Sequence, residues 1–281
     1  MKTLYAVYRD AVKSLADSSV ETPEFDAQQL VQYCFGYNKT GLLMHSGAEV
    51  DEVKLLHFDD CVKRRCNHEP LQYVIGMWDF YKYSFKVGKG VLIPRPETEL
   101  LVEFAIDKIQ KNRYETIFDL CCGSGCIGLS IAKACPQVKV YCMDISDDAL
   151  SYTRQNKELL DIDNVTVIKG DVLSGTSFIG LPRPDLILSN PPYIRTNEIA
   201  SLQPEIAYEP SLALDGGEDG LVFYRALAEI WYPLINRGGY IAMETGEDQA
   251  SDILSLYVDK AEKGRVIKDA AGLDRVVVLA R

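Results

Sequence analysis

Apolar residues recur at helical spacing along the first part of the chain. Leu4, Val7, Tyr8, Val12 and Leu15 fall about one turn apart, with Val7 and Tyr8 adjacent, and predict an amphipathic helix. Thr22-Pro23 opens a second, which carries Phe25, Gln29, Leu30 and Cys34 and stops at Gly36. A third begins near Asp51 and runs through Val53, Leu56, Phe58 and Cys61 into the basic residues Lys63, Arg64 and Arg65. Between residues 70 and 96 the period changes. Tyr73, Ile75, Trp78, Phe80, Tyr83, Phe85 and Val87, followed by Gly88 and Gly90, predict a β-hairpin. The stretch Ile93-Pro94-Arg95-Pro96-Glu97-Thr98-Glu99 is then extended by its prolines, and a helix with the stripe Leu100, Leu101, Phe104, Ala105 and Ile109 follows. From about residue 114 strand and helix patterns alternate to the end, which predicts a mostly parallel α/β sheet. The expected division is a helical domain over 1–72, a hairpin linker over 73–96 and an α/β domain over 97–281.

One strand ends abruptly. Asp185-Leu186-Ile187-Leu188-Ser189 reads as buried on both faces, and Asn190-Pro191-Pro192-Tyr193 stops it by removing two backbone donors. Ligands of open α/β sheets sit at the carboxyl ends of the strands, so this stiff loop lies on the chemically useful edge. The Asn190 side-chain oxygen and a proline carbonyl can each accept one N–H of a planar NH₂ group. Holding it that way directs the nitrogen lone pair out of plane, toward an electrophile, and the Tyr193 ring supplies a flat wall. The plainer alternative is a strand-end turn with an exposed tyrosine.

A second strand, 116–120, runs into Cys121-Cys122-Gly123-Ser124-Gly125 and then into a helix carrying Ile127, Leu129 and Ile131. Small residues let backbone approach a ligand, and the helix start offers free N–H groups. Asp144 ends the next strand, 138–143, where a carboxylate can accept both hydroxyls of a ribose. The loop lacks the full dinucleotide spacing and has no basic neighbour for a phosphate, so a nucleoside without phosphate fits better. Asp171, after the strand Val165–Lys169, falls beside the same cleft and can accept from an adenine amino group.

Composition narrows the classes. A net charge of −11 argues against broad adhesion to nucleic acid, although Lys63, Arg64 and Arg65 form a small basic patch. Arg9, Asp10 and Lys13 break any early apolar run, and eight scattered cysteines read as reduced thiols, so a cytoplasmic soluble protein is expected. No metal is expected: His57, Cys61, Cys66 and His68 fit zinc spacings poorly, and Cys121, Cys122 and Cys126 lack a partner ligand.

Three segments together carry a resemblance. Leu92-Ile93-Pro94-Arg95-Pro96-Glu97-Thr98-Glu99, the loop from Asp119 to Gly125, and Asn190-Pro191-Pro192-Tyr193 are similar to those of the PrmC/HemK family. These are protein-(glutamine-N5) methyltransferases, which modify the Gln of the Gly-Gly-Gln motif in bacterial class 1 peptide chain release factors. Supporting stretches are 69–76, 209–221 and 269–275, so the likeness spans nearly the whole chain. It implies a seven-stranded S-adenosylmethionine-dependent fold with a Rossmann-like sheet, and a helical domain that helps grip the release factor. Cys121, Cys122, Gly123, Ser124 and Gly125 would hold the methionine part of S-adenosylmethionine, Asp144 its ribose, and Asp171 and Val172 its adenine, with Asn190 also touching the cofactor. Asn190, Pro191, Pro192 and Tyr193 would bind the target glutamine, with Asn190, Pro191 and Tyr193 catalytic. The product would be S-adenosylhomocysteine, with no direct nucleic-acid contact, no membrane and a monomeric enzyme. Two positions depart from the family: Cys121 replaces the usual first glycine of the loop, and Val172 replaces a frequent aromatic. Arg95 and Glu97 read either as linker charges or as pocket-edge groups. Two rivals remain at this point. The Asn-Pro-Pro-Tyr motif is shared with adenine-N6 methyltransferases of nucleic acid, and a non-catalytic nucleoside-binding module would keep the same scaffold.

Overall fold

The computed structural model describes residues 2–281 and divides into two units. The first runs to Met77 and includes Gln203–Tyr208; the second comprises Trp78–Leu202 and Glu209–Arg281.

The first unit is helical: α1 (Leu4–Asp17), α2 (Pro23–Phe35), α3 (Lys39–Met44), α4 (Glu52–Cys66) and α5 (Leu71–Ile75). Side chains supply the caps that orphan N–H groups require. Thr3 accepts from the Ala6 N–H at 3.3 Å, Asn38 from Gly41 at 2.9 Å and Asp51 from Lys54 at 3.0 Å. Gly36 ends α2 in the left-handed conformation, as its position predicts.

Three sequence expectations change here. On α2 the buried face is Asp26, Ala27, Leu30 and Val31, while Phe25 is exposed. On α4 it is Phe58, Cys61, Val62 and Arg65, while Val53 and Leu56 face outward. The reason is common to both: each inner face contains a charge. The Arg65 Nε donates to Asp26 at 2.6 Å, and its Nη2 reaches Glu205 at 2.9 Å. A buried ion pair at two core positions hides the helical period from an apolar count. Tyr73 and Ile75, expected on the hairpin, lie on α5, which Gly76 terminates with φ +77°.

The pair sets a prediction. Arg65→Leu strands Asp26 without its cation in a dry site, so the helical unit should lose about 3–5 kcal/mol, read by urea denaturation of the full chain. A loss under 1 kcal/mol would show the pair to be wetter than its burial implies.

The second unit opens with the hairpin β1 (Met77–Phe80) and β2 (Tyr83–Lys86), followed by α6 (Glu99–Lys111). Strands β3 (Thr116–Leu120), β4 (Lys139–Asp144), β5 (Val165–Lys169), β6 (Leu186–Ser189) and β7 (Tyr240–Glu244) are parallel. The last two, β8 (Lys263–Lys268) and β9 (Asp274–Ala280), join antiparallel, giving the seven-stranded order β5-β4-β3-β6-β7-β9-β8. Alternate strand residues serve opposite faces. Ile117, Val140, Leu186 and Leu188 meet α6 and the helices α7 (Cys126–Ala134) and α8 (Asp147–Leu159). Phe118, Met143, Ile187 and Met243 meet the other layer. That layer holds α9 (Val222–Ala226), its continuation through a wider turn at Leu227–Trp231, and α10 (Ala250–Ser255).

Registry assembles the functional edge. Leu120 pairs with Met143 on one side and Ser189 on the other, and Asp144 pairs with Lys169. Strand tips β3, β4, β5 and β6 therefore end level, and the loops after them share one rim. The chain order reverses direction at β3, where open α/β sheets form their crevice.

Candidate active site

At the tip of β6, Ser189 donates its hydroxyl to the Leu120 carbonyl at 2.7 Å, fixing the exit of the strand. Asn190-Pro191-Pro192-Tyr193 then turns away and is braced from behind. The Gln249 amide donates to the Tyr193 carbonyl at 2.9 Å, and Ile194 forms a bridge with Asp215. Gly216 lies so close that a Cβ there would stand 2.7 Å from the Tyr193 Cα, and one on Gly220 would stand 2.5 Å from its carbonyl oxygen. Only glycine permits this clamp.

The Asn190 amide is oriented by a short relay. Its Nδ2 donates to Thr98 Oγ1 at 3.3 Å, and Thr98 donates to Glu244 Oε2 at 2.5 Å. A carboxylate can only accept, so the Thr98 proton points to Glu244 and its lone pairs face Asn190. The amide nitrogen is thereby engaged, leaving Oδ1 as the acceptor for a ligand in the cleft that Asn190 lines. Burial pushes the Glu244 carboxyl up to about 7, with Thr98 and Arg275 pulling it back. Burial also pushes Tyr193 up to about 12, with the Glu244 charge adding to it.

Behind the rim, Arg95 pairs with Glu209, and Glu209 accepts from the Ile93 N–H at 3.0 Å. Arg95 thus pins the Ile-Pro-Arg-Pro stretch to the Glu209-Pro210 segment without itself lining the cleft. Glu97 acts on Glu244 and Tyr193 through its charge.

The loop after β3 is built around left-handed backbone. Gly123 and Gly125 have φ +55° and +79°, and Cys121, which has a side chain, has φ +59°. The departure at Cys121 is therefore absorbed as backbone strain rather than by abandoning the turn. Such a conformation costs on the order of 1 kcal/mol. Cys121→Gly should recover about 0.5–1 kcal/mol, visible as a higher denaturation midpoint; a destabilised variant would show that thiol burial outweighs the strain.

Asp119, fully buried on β3, accepts from the Gly128 N–H at 2.8 Å and ties the strand to the start of α7. Burial pushes its carboxyl up to about 7. Asp144 accepts from Gly123 N–H with one oxygen and Ser146 N–H with the other, each at 2.9 Å, which fixes the plane of its carboxylate. Burial raises its pKa while those bonds lower it. Burial likewise raises the thiols of Cys121 and Cys126, which keeps them protonated.

A single cleft collects most of the predicted residues. Cys121, Cys122, Gly123, Ser124, Asp144, Asp171, Val172, Asn190 and Pro192 all line it. Gly125, Pro191 and Tyr193 do not. Gly125 turns inward against Thr153, where a Cβ would stand 2.8 Å from Cγ2, and Tyr193 rests partly on the core beneath β6 and β7. The Val172 carbonyl accepts from the Trp231 indole at 2.9 Å, so this position is rigid without an aromatic side chain. Residues that sequence reasoning left out also line it, among them Thr98, Ile145, Leu212 and Phe223. Their signal was weak, because each comes from a different segment, and Thr98 and Leu212, although inside stretches that carry the resemblance, had no chemical role of their own to mark them.

Residues 6–76 match the family described as "PrmC N-terminal domain", and residues 97–226 match "Methyltransferase small domain". A release factor glutamine methyltransferase from Clostridium acetobutylicum is 39% identical over 91% of this chain and 90% of its own. One from Thermodesulfovibrio yellowstonii is 39% identical over 91% and 92%. Among solved structures, the hMettl16 catalytic domain in complex with the MAT2A 3'UTR hairpin 6 superposes with a TM-score of 0.57 at 13% identity, covering 82% of each chain. The 16S rRNA N2 G1207 methyltransferase RsmC of T. thermophilus, in complex with AdoMet and guanosine, gives 0.52 at 16% identity over 71% of this chain and 47% of its own. These two likenesses concern the fold alone, which is that of a methyltransferase. With close to two-fifths identity along nearly the full length of both, the chain belongs to the release factor glutamine methyltransferase family.

Proposed function

We propose that this chain methylates the side-chain amide nitrogen of the glutamine in the Gly-Gly-Gln motif of class 1 peptide chain release factors, with S-adenosylmethionine as donor. The observation that carries the reading is Asn190, held by Thr98 at the edge of a cleft that Asp144 and the 121–124 loop also line.

The residues present fit the donor. The Asp144 oxygens accept from the Gly123 and Ser146 N–H groups, and a carboxylate has about four acceptor sites, so lone pairs remain for two adjacent ribose hydroxyls. Asp171 uses Oδ1 to accept from Leu173 at 2.8 Å, leaving its second oxygen for an adenine amino group. No Lys or Arg among the described residues lines the cleft, which agrees with a ligand free of phosphate. When bound, S-adenosylmethionine supplies an electrophilic methyl on sulfonium.

The chain's own part is placement. Asn190 Oδ1 accepts one N–H of the glutamine NH₂ group, and the carbonyl of Pro191, which stands between the lining residues Asn190 and Pro192, accepts the other. With both N–H bonds so held, the lone pair, which stands perpendicular to the amide plane, faces the methyl and is drawn out of conjugation with the carbonyl. Pro192, Leu212 and Phe223 give apolar walls that exclude water. No strong base is required, since the methylated amide cation sheds its proton readily. The helical unit is assigned to holding the release factor, and the enzyme works as a cytoplasmic monomer without touching nucleic acid.

The test uses methyl-labelled S-adenosylmethionine with a release factor and a DNA duplex in parallel. Label should enter the release factor and not the duplex. Label in the duplex and none in the protein would favour adenine-N6 chemistry instead.

A further inference from the structure

A cluster in the helical unit has chemistry that methyl transfer does not use. Cys34, near the end of α2, and His57 and Cys61 on α4 bring one sulfur or nitrogen atom each within 4.8 Å of one another. We infer that these three side chains bind one zinc-class metal ion, joining α2 to α4.

The spacing is close to what such an ion requires. His57 and Cys61 are four apart on one helix, so they share a face. Their Nε2 and Sγ atoms are 3.9 Å apart. Tetrahedral zinc, with bonds of about 2.0 Å to nitrogen and 2.3 Å to sulfur, sets these atoms about 3.6 Å apart. Side-chain rotation supplies the few tenths of an ångström that remain for this pair, and Cys34, within 4.8 Å of both, closes by about 1 Å at most. The Tyr33 ring, centred 5.6 Å from the His57 imidazole, flanks it on the α2 side.

The donor set selects the ion. Two thiolates and an imidazole suit zinc, cobalt(II) or copper(I) and disfavour magnesium and calcium. All eight cysteines are free thiols, so both sulfurs are available. Cys61 is buried, Cys34 half-buried and His57 exposed, which gives the ion an entry from solvent past the imidazole. Metal binding displaces the protons that the two thiols still carry, and the fourth position is left for water or another donor. Among the described residues no other trio of His, Cys, Asp or Glu gathers in this way. The sequence hid it because Cys34 lies outside the stretch holding His57, Cys61, Cys66 and His68.

Cobalt(II) titration of the reduced, metal-free full chain under anaerobic conditions is the test. One equivalent should produce a thiolate-to-cobalt charge-transfer band and tetrahedral d–d bands, and zinc should erase both. Cys34→Ser should remove the charge-transfer band. His57→Ala, at an exposed position that leaves the core intact, should weaken binding by at least about tenfold. Cys66→Ser should behave as the parent. The proposal is overturned by absence of a stoichiometric band, or by a band that survives both Cys34→Ser and His57→Ala. It also fails if the chain takes up no cobalt and air oxidation instead links Cys34 to Cys61, which would mark a redox thiol pair.

Discussion

Asn190→Ala is expected to lower the rate of methyl transfer by about a thousandfold while leaving the affinity for S-adenosylmethionine nearly unchanged. The asymmetry follows from position. The ribose and adenine groups would be held by Asp144 and Asp171, which come from the ends of β4 and β5. Asn190 comes from the end of β6, on the other side of β3. An amide nitrogen conjugated to its carbonyl has little lone-pair density to offer. It becomes a competent nucleophile only when both N–H bonds are held in a fixed orientation. Removing one placed polar contact in a dry site typically costs about 10²–10³ in turnover, and the loss of orientation adds to it. Initial rates at saturating donor, with donor affinity by calorimetry, separate the two effects. A variant with parental turnover would remove Asn190 from the chemistry. A variant that binds no donor would make it a cofactor residue only.

Glu244→Gln should do two opposite things. Glu244 is almost fully buried, and its carboxyl sits near 7 against an ordinary value of 4.5. Between those values the folded chain keeps a proton that the unfolded chain has released. Stability therefore falls as pH rises through that window and levels off above about 7. Glutamine has no such charge to bury. Above the window the variant should be more stable than the parent by about 2–3 kcal/mol, with the gap closing toward the acid end. Asp119 also sits near 7, but it titrates in both proteins, so the difference between them isolates Glu244.

Activity should move the other way. The ionised carboxylate forces the Thr98 hydroxyl to donate to it and so fixes which way the Asn190 amide faces. A glutamine, which both donates and accepts, removes that constraint, and turnover should fall by about tenfold with donor affinity kept. In the parent, turnover should rise with pH and inflect near 7; in the variant that inflection should disappear. A pH profile unchanged by the substitution would reduce Glu244 to a packing residue.

How much of this was legible in the sequence depended on whether the information was local. The strands that stop at Cys121, Asp144 and Asn190, and the tight turn at Gly123, were readable because apolar runs ending in a polar or turn residue declare themselves within a few residues. The relay was not readable. Thr98 and Glu244 stand 146 positions apart, and each by itself is an ordinary helix-start threonine or strand-end acid. The clamp behind Tyr193 had the same difficulty, because Gly216, Gly220 and Gln249 acquire meaning only when β7 is laid beside β6. In the helical unit the inner faces were misread wherever Asp26 and Arg65 occupy core positions. A buried ion pair looks polar to a pattern count and apolar to the fold.

The central claim is that the corner at Asn190 presents a flat NH₂ group to a methyl donor in the cleft. Its most direct test is tandem mass spectrometry of a release factor after incubation with enzyme and S-adenosylmethionine. The expected spectrum places one added methylene on the glutamine side chain of Gly-Gly-Gln, on nitrogen, and nowhere else. A methyl group on a carboxylate, a lysine or any other residue, with that glutamine unmodified, would contradict the account.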